Sequence, residues 1–176
     1  MTEQEGAPDV TVLCVAPPAV VLGPRLHGHG GALSDLELRF QLARAAEMAR
    51  PERIAAVGLP PDHLAALCSS LVRLFGRGGG ASDEDEFLRR TLPVVVRTQL
   101  EKLLQGRRGA LDHERYRRAC RRAADRAGLL VCGDIDTAMR LAMGQTSGRP
   151  GRHLVEMALR RGYLAARARL GVGAVK

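Results

Sequence analysis

The chain has no tryptophan and only five Phe and Tyr residues, Phe40, Phe75, Phe87, Tyr116 and Tyr163, 3% of its 176 residues. A core must therefore come from Leu, Val and Ala, a composition that favours helices packed closely through small side chains. Lysine is nearly missing as well: of 27 basic residues only Lys102 and Lys176 are lysines, and arginine supplies the rest of a net charge of +8. Single-strand nucleic-acid readers stack bases on aromatics. Here the rings are scattered, so nucleic acid is a disfavoured partner despite the basic charge. No apolar run reaches the roughly 18–20 residues of a membrane span. The first eight residues are polar and acidic, without the basic and apolar regions of a secretory leader, and we expect a cytoplasmic protein with no membrane partner.

Cysteine is sparse and unpatterned. Cys14, Cys68, Cys120 and Cys132 show no CxxC spacing and have no His beside them, which reads as four reduced, buried thiols. His27 and His29 in a glycine-rich loop read as solvated rather than metal-binding. Ser69-Ser70 and Thr146-Ser147 lack the strand-to-helix setting of a nucleophile. Gly76 to Gly80 is a plain linker rather than a phosphate loop.

What is present is local punctuation. Val10 to Val15 and Ala19 to Leu22 are β-branched and apolar, with Pro17-Pro18 at the junction, as two strands or a broken hairpin require. Ser34 with Glu37 three positions on is a capping box, and Pro51 closes the helix it opens near Ala49. Along that helix Leu38, Leu42, Ala45 and Ala49 form the stripe expected to pack inward, while Glu37, Gln41, Arg44 and Met48 share another. Asp62 or its neighbours should cap a helix to Phe75. The acidic run Asp83 to Glu86 suits the positive end of a helix towards Gln105, kinked or split at Pro93. Asp112 opens the next helix, through Tyr116 to Leu130, and Asp134 a short one to Met143. A last helix runs from Arg152 to Leu170, ended by Gly171 and Gly173. The fold class is therefore α+β, mostly helical with a short N-terminal β element and about six helices. We expect residues 1–9 to be flexible, 10–170 to form a single domain and 171–176 to be a tail.

Two segments carry a resemblance. The first is Pro18-Ala-Val-Val-Leu-Gly-Pro-Arg-Leu, a loop, and Leu33-Ser-Asp-Leu-Glu-Leu-Arg-Phe-Gln-Leu-Ala-Arg. The second, about eighty residues on, is Arg118-Ala-Cys-Arg-Arg-Ala-Ala-Asp-Arg-Ala-Gly-Leu-Leu. Together they resemble the CAAX-prenyl-protease-type zinc metallopeptidases, which are gluzincins. In that family an edge strand leads into the HExxH helix, and an ExxxD motif followed by Arg-Ala-Gly-Leu supplies the third zinc ligand. The resemblance covers roughly residues 10 to 145 and implies a zincin-like domain.

It also implies a degenerate one. HExxH places two His on one helical face around zinc with a Glu as general base. Carried onto this chain, the first His position is Arg44, the Glu is Ala45 and the second His is Met48. The ligand Glu of the second motif falls on Arg121, and its Asp is kept as Asp125. A guanidinium cannot coordinate Zn²⁺, Met is a poor ligand for it and Ala carries no base. No His lies between His29 and His63, so a slipped alignment does not restore the site. His113-Glu114 begins a similar string, but its fifth residue is Arg117.

The expectation is thus no catalytic residue, no metal ligand and no cofactor. In the family the Asp holds a zinc-binding His, so Arg44 and Asp125 are expected to form a salt bridge. Arg121 is expected one turn away, with Glu47 as a further partner or with an anion bound at Arg44 and Arg121. The arginines of 115–126 spread around their helix as a solvated face. Arg160, Arg161, Arg167 and Arg169 form a second basic region. The function these residues imply is a pseudoenzyme serving as a protein-interaction or scaffold module, with an acidic or helical-repeat protein as partner. The alternatives are a basic anion- or nucleic-acid-binding domain, or an active peptidase with an unorthodox metal site.

Overall fold

The computed structural model describes residues 10–23, 33–76, 82–107, 109–143 and 151–171. The His27/His29 loop, most of the Gly76–Ser82 stretch, Thr146-Ser147, Gly173 and both tails lie outside the described residues. The chain divides into two compact units, residues 1–58 with 118–176, and residues 59–117.

The first unit opens with β1 (Val10–Leu13) and β2 (Ala19–Leu22), antiparallel, with Val10 opposite Leu22 and Leu13 opposite Ala19. The prolines sit between them, where no ladder donor is needed. Helix α1 (Asp35–Met48) starts where its capping box dictates. The Ser34 hydroxyl accepts from the Glu37 N–H at 3.3 Å, and the Ser34 N–H donates to Glu37 Oε2 at 2.8 Å. A short α2 (Ala55–Gly58), which the sequence does not announce, packs on β1. A side chain at Gly58 would place Cβ 2.1 Å from Cys14 Cβ, so only glycine lets the two elements meet.

Helix α6 (His113–Cys132) opens at Asp112, whose Oδ1 accepts from the Arg115 N–H at 2.7 Å. Helix α7 (Ile135–Met143) opens at Asp134, whose Oδ1 accepts from the Thr137 N–H at 2.7 Å. Between them Gly133 takes φ +73°, a left-handed turn that favours glycine.

The single last helix expected over Arg152 to Leu170 is instead two, α8 (Arg152–Ala158) and α9 (Arg161–Arg169). Arg160 is extended, at φ −81° and ψ 133°, and breaks the ladder. The break turns Tyr163 into the core, which an unbroken helix does not need to do. Gly171, at φ +65°, ends α9 as expected.

The core of this unit gathers Phe40, Leu129, Cys132, Ala138, Ala142, Leu154 and Tyr163. Phe40, Leu129 and Leu154 are fully buried. Gly128 makes this possible: a Cβ there would lie 2.6 Å from the Phe40 ring, so its absence lets the ring rest on the α6 backbone. The inward stripe of α1 needs correction. Phe40, Gln41, Ala45 and Met48 are buried, whereas Leu42 is exposed and Leu38 and Ala49 are only partly covered. The ring of Phe40 sets the register of the helix, and the stripe around it, not the leucine stripe, turns inward with it.

The second unit contains α3 (Pro61–Phe75), α4 (Asp83–Thr91) and α5 (Val94–Leu104), with the first turn of α6. Helix α3 starts at Pro61, with Pro60 as its cap residue and Asp62 inside the first turn, in place of a side-chain cap by Asp62. Ser82 is the N-cap of α4 and forms a capping box with Asp85. Pro93 separates α4 from α5, the split that its ring geometry imposes on a helix interior. The fold class stands as α+β, mostly helical, with nine helical segments among the described residues in place of about six.

Candidate functional site

Three of the five positions singled out by the sequence lie on the buried side of α1 or beside it. Ala45 and Met48 are buried, and Arg44 is partly buried between their turns. From α6, Asp125 is also buried. The expected ion pair is present: Arg44 Nε donates to Asp125 Oδ1 at 2.9 Å, with the two side chains 19% and 9% exposed. It ties residues 81 apart in sequence and so fixes α1 against α6.

The second carboxylate oxygen is where sequence reasoning missed a residue. Asp125 Oδ2 lies 3.4 Å from Nε2 of His153, on α8, whose side chain is 11% exposed. The site is thus a three-helix polar cluster, Arg44–Asp125–His153. A lone His on a short helix gives no pairing signal. The one available clue was that a buried carboxylate has two oxygens to satisfy, and one arginine nitrogen answers for only one.

Other expectations resolve differently. Arg121 is exposed on α6, one turn before Asp125 as expected, and makes no side-chain hydrogen bond or ion pair among the described residues, so it does not join the Arg44–Asp125 pair. Glu47 does not serve Arg121; it pairs with Arg50 and Arg53 beyond the end of α1. His113 sits 3.8 Å from Glu114 at the start of α6. The arginines 115, 118, 121, 122 and 126 are exposed, as a solvated face requires, while Arg117 is partly covered. All four cysteines are free. Cys120 and Cys132 are buried, but Cys14 is exposed and Cys68 intermediate, which corrects the expectation of four buried thiols. Burial pushes the Cys132 and Cys68 thiols up, away from thiolate chemistry.

The site is braced from α7. Arg140 Nη1 donates to Glu37 Oε1 at 2.9 Å. The Ser34 backbone N–H, then the Arg140 guanidinium, hold the Glu37 carboxyl at about 2, below its ordinary 4.5. The cap of α1 is therefore also its tie to α7.

Chemically, the cluster offers a permanent cation, a carboxylate hydrogen-bonded through Oδ1 with its Oδ2 3.4 Å from His153 Nε2, and a largely covered imidazole. Ala45 and Met48 add apolar surface with no proton-transfer group. Among the described residues no three of His, Cys, Asp and Glu converge as a metal site would need, and no helix is long and apolar enough to cross a membrane.

A pocket of about 350 Å³ opens elsewhere in the same unit, between the C-terminal half of α6 and the α8–α9 corner. Comparison with protein-family models, with curated proteins and with solved structures finds no match to this chain.

Proposed function

We propose that this chain is a catalytically inactive, metallopeptidase-like module of the cytoplasm that captures an acidic protein partner by adding an extended segment of it to β2. Loss of peptidase chemistry rests on the residues at the resembling positions. By that resemblance Arg44, Met48 and Arg121 align with the zinc-ligand positions and Ala45 with the base, and none of these side chains can serve those roles. In their place an ion pair holds α1 to α6, a structural use of the same two helices.

The observation that carries the capture reading is the edge of β2. Among the described residues the sheet has two strands, and α1 and α2 pack on β1. Val20, Val21 and Leu22 of β2 remain 39%, 47% and 43% exposed. Proteins ordinarily blunt such an edge with a charge or a proline in the strand, because its unpaired N–H and C=O groups template another strand. No charged residue occurs between Val10 and Leu22, and the prolines are confined to the turn. Backbone pairing would supply affinity, and the exposed valines would grip alternate side chains of the incoming segment. A net charge of +8 favours acidic flanks on that segment and speeds its approach at low salt.

The test is selection of peptides against the whole chain from a display library, followed by calorimetry and hydrogen exchange on the tightest binder. Protection of the 19–22 amides, together with loss of binding in Val21→Lys, supports strand capture. Protection elsewhere, or unchanged binding to Val21→Lys, overturns it. Stoichiometric zinc bound after dialysis, with peptide hydrolysis, would overturn the inactive reading separately.

A further inference from the structure

The pocket between α6, α8 and α9 has a floor and a rim of different chemistry. Leu130, Met157, Tyr163 and Ala166 form the apolar floor, and Arg126 and Arg160 stand at the rim. Tyr163 is buried, and its hydroxyl donates to the Leu129 carbonyl at 3.4 Å, so it lends the pocket a ring and no free hydroxyl. Arg167 donates to the Gly133 carbonyl at 2.8 Å and lies 5.8 Å from the Tyr163 ring centre, which fixes the ring in place.

The rim carries surplus positive charge. Glu156 accepts from Arg152 Nε at 2.7 Å, and that bond comes first in holding its carboxyl below the ordinary value. The charges of Arg160 and Arg126 lower the same carboxyl further, so one carboxylate answers to three arginines. Arg126 and Arg160 make no side-chain hydrogen bond or ion pair of their own among the described residues. An apolar cleft with two guanidiniums at its mouth, which share the one Glu156 carboxylate with Arg152, is complementary to one kind of occupant, an anionic head on an apolar body.

We infer that this pocket binds a small monocarboxylate with a straight apolar chain, its carboxylate on Arg126 and Arg160 and its chain on Leu130, Met157, Tyr163 and Ala166. The size sets the chain length. A pocket of about 350 Å³ is at the small end of ligand cavities and suits a short chain of about eight to ten carbons. The site is separate from β2 and does not rest on strand capture.

Decanoate, decanol and butyrate are titrated into the whole chain by calorimetry, with tyrosine fluorescence in parallel, since Tyr116 and Tyr163 are the chain's two tyrosines and there is no tryptophan to mask them. Decanoate should bind once per chain with submillimolar affinity and perturb tyrosine emission. Decanol, lacking the charge, and butyrate, lacking the body, should each bind at least tenfold more weakly. The double variant Arg126→Gln/Arg160→Gln changes only exposed side chains and should keep its circular dichroism while losing at least tenfold in decanoate affinity. Val21→Lys should bind decanoate as the parent does. Equal binding of decanol, unchanged affinity in the double variant, or no saturable decanoate binding would overturn the assignment.

Discussion

The two units solve the same packing problem with different materials. In residues 1–58 with 118–176, alanine and glycine let helices close on Phe40, Leu129 and Leu154, and the charged groups that join them include the Arg44–Asp125–His153 cluster, with Gln41 and Thr137 also buried. In residues 59–117 the buried set is thinner and more polar: Leu64, Phe75 and Leu104 accompany Ser70 and Asp85. Asp85 is wholly buried and takes two hydrogen bonds from Arg73, each at 3.0 Å, while Arg73 also donates to Ser70 at 3.0 Å. Phe87, Val94, Val95 and Leu103 meanwhile stay exposed. A chain poor in aromatics builds a dense core where small residues allow close approach. Where they do not, it falls back on charge-assisted hydrogen bonds, which specify geometry at a desolvation cost.

The sharpest break of that contrast is Phe40→Ala. Removing the largest fully buried side chain of the first unit should cost about 3–5 kcal/mol, seen as loss of amide protection in α1 and α6–α9. Amides of α3–α5 that lose protection equally would show that the units do not differ as described. Arg44→Met comes next, at about 3 kcal/mol, because it leaves the Asp125 carboxylate buried with His153 as its remaining neighbour. Chemical denaturation measures it; a cost below about 1 kcal/mol would mean that the pair behaves as a surface bridge. Gly128→Ala weighs two opposed effects. Helix propensity gains about 1 kcal/mol, but the new methyl would meet a fully buried ring, and overpacking costs about 1–3 kcal/mol. The clash should win by about 1 kcal/mol, and Phe40→Leu in the same chain should relieve part of it.

In the second unit Arg73→Leu should loosen α3 and α4 selectively, since the Arg73 guanidinium is what holds the Asp85 carboxyl well below the usual carboxylate range. Hydrogen exchange that leaves α3 and α4 protected in this variant would show that Ser70 and Ser82 suffice. The smallest effect concerns pH. The Glu37 carboxyl lies at about 2 in the fold against 4.5 ordinarily, so its stabilising contribution is full above about 4.5 and is lost as pH falls towards 2. Glu37→Gln should therefore lower stability by less than about 1 kcal/mol at neutral pH and be indistinguishable from the parent near pH 2. Thermal melts across that range give the comparison.

Much of the fold was legible because its signals are local. Ser34 with Glu37, Asp112 and Asp134 each satisfy a backbone N–H three residues on, a bond that needs no tertiary structure, and all three open helices where expected. Pro51 and Pro93 end or divide helices through their own ring geometry. The Arg44–Asp125 pair was foreseen from a resemblance that placed two helices together, but nothing local supplied it.

What the chain determined by itself is therefore where helices begin and stop, and that two short apolar strands meet across a proline turn. Only the tertiary structure decided which stripe of α1 faces inward, because a buried ring resting on Gly128 outweighs three smaller side chains. It also decided that α8 and α9 separate at Arg160 so that Tyr163 can enter the core, and that His153 comes to Asp125 from 28 residues away. Caps and breaks close over three or four residues, within reach of the chain's own stiffness. Side chains far apart in sequence meet only after loop entropy has been overcome by burial, and burial is a property of the packed whole.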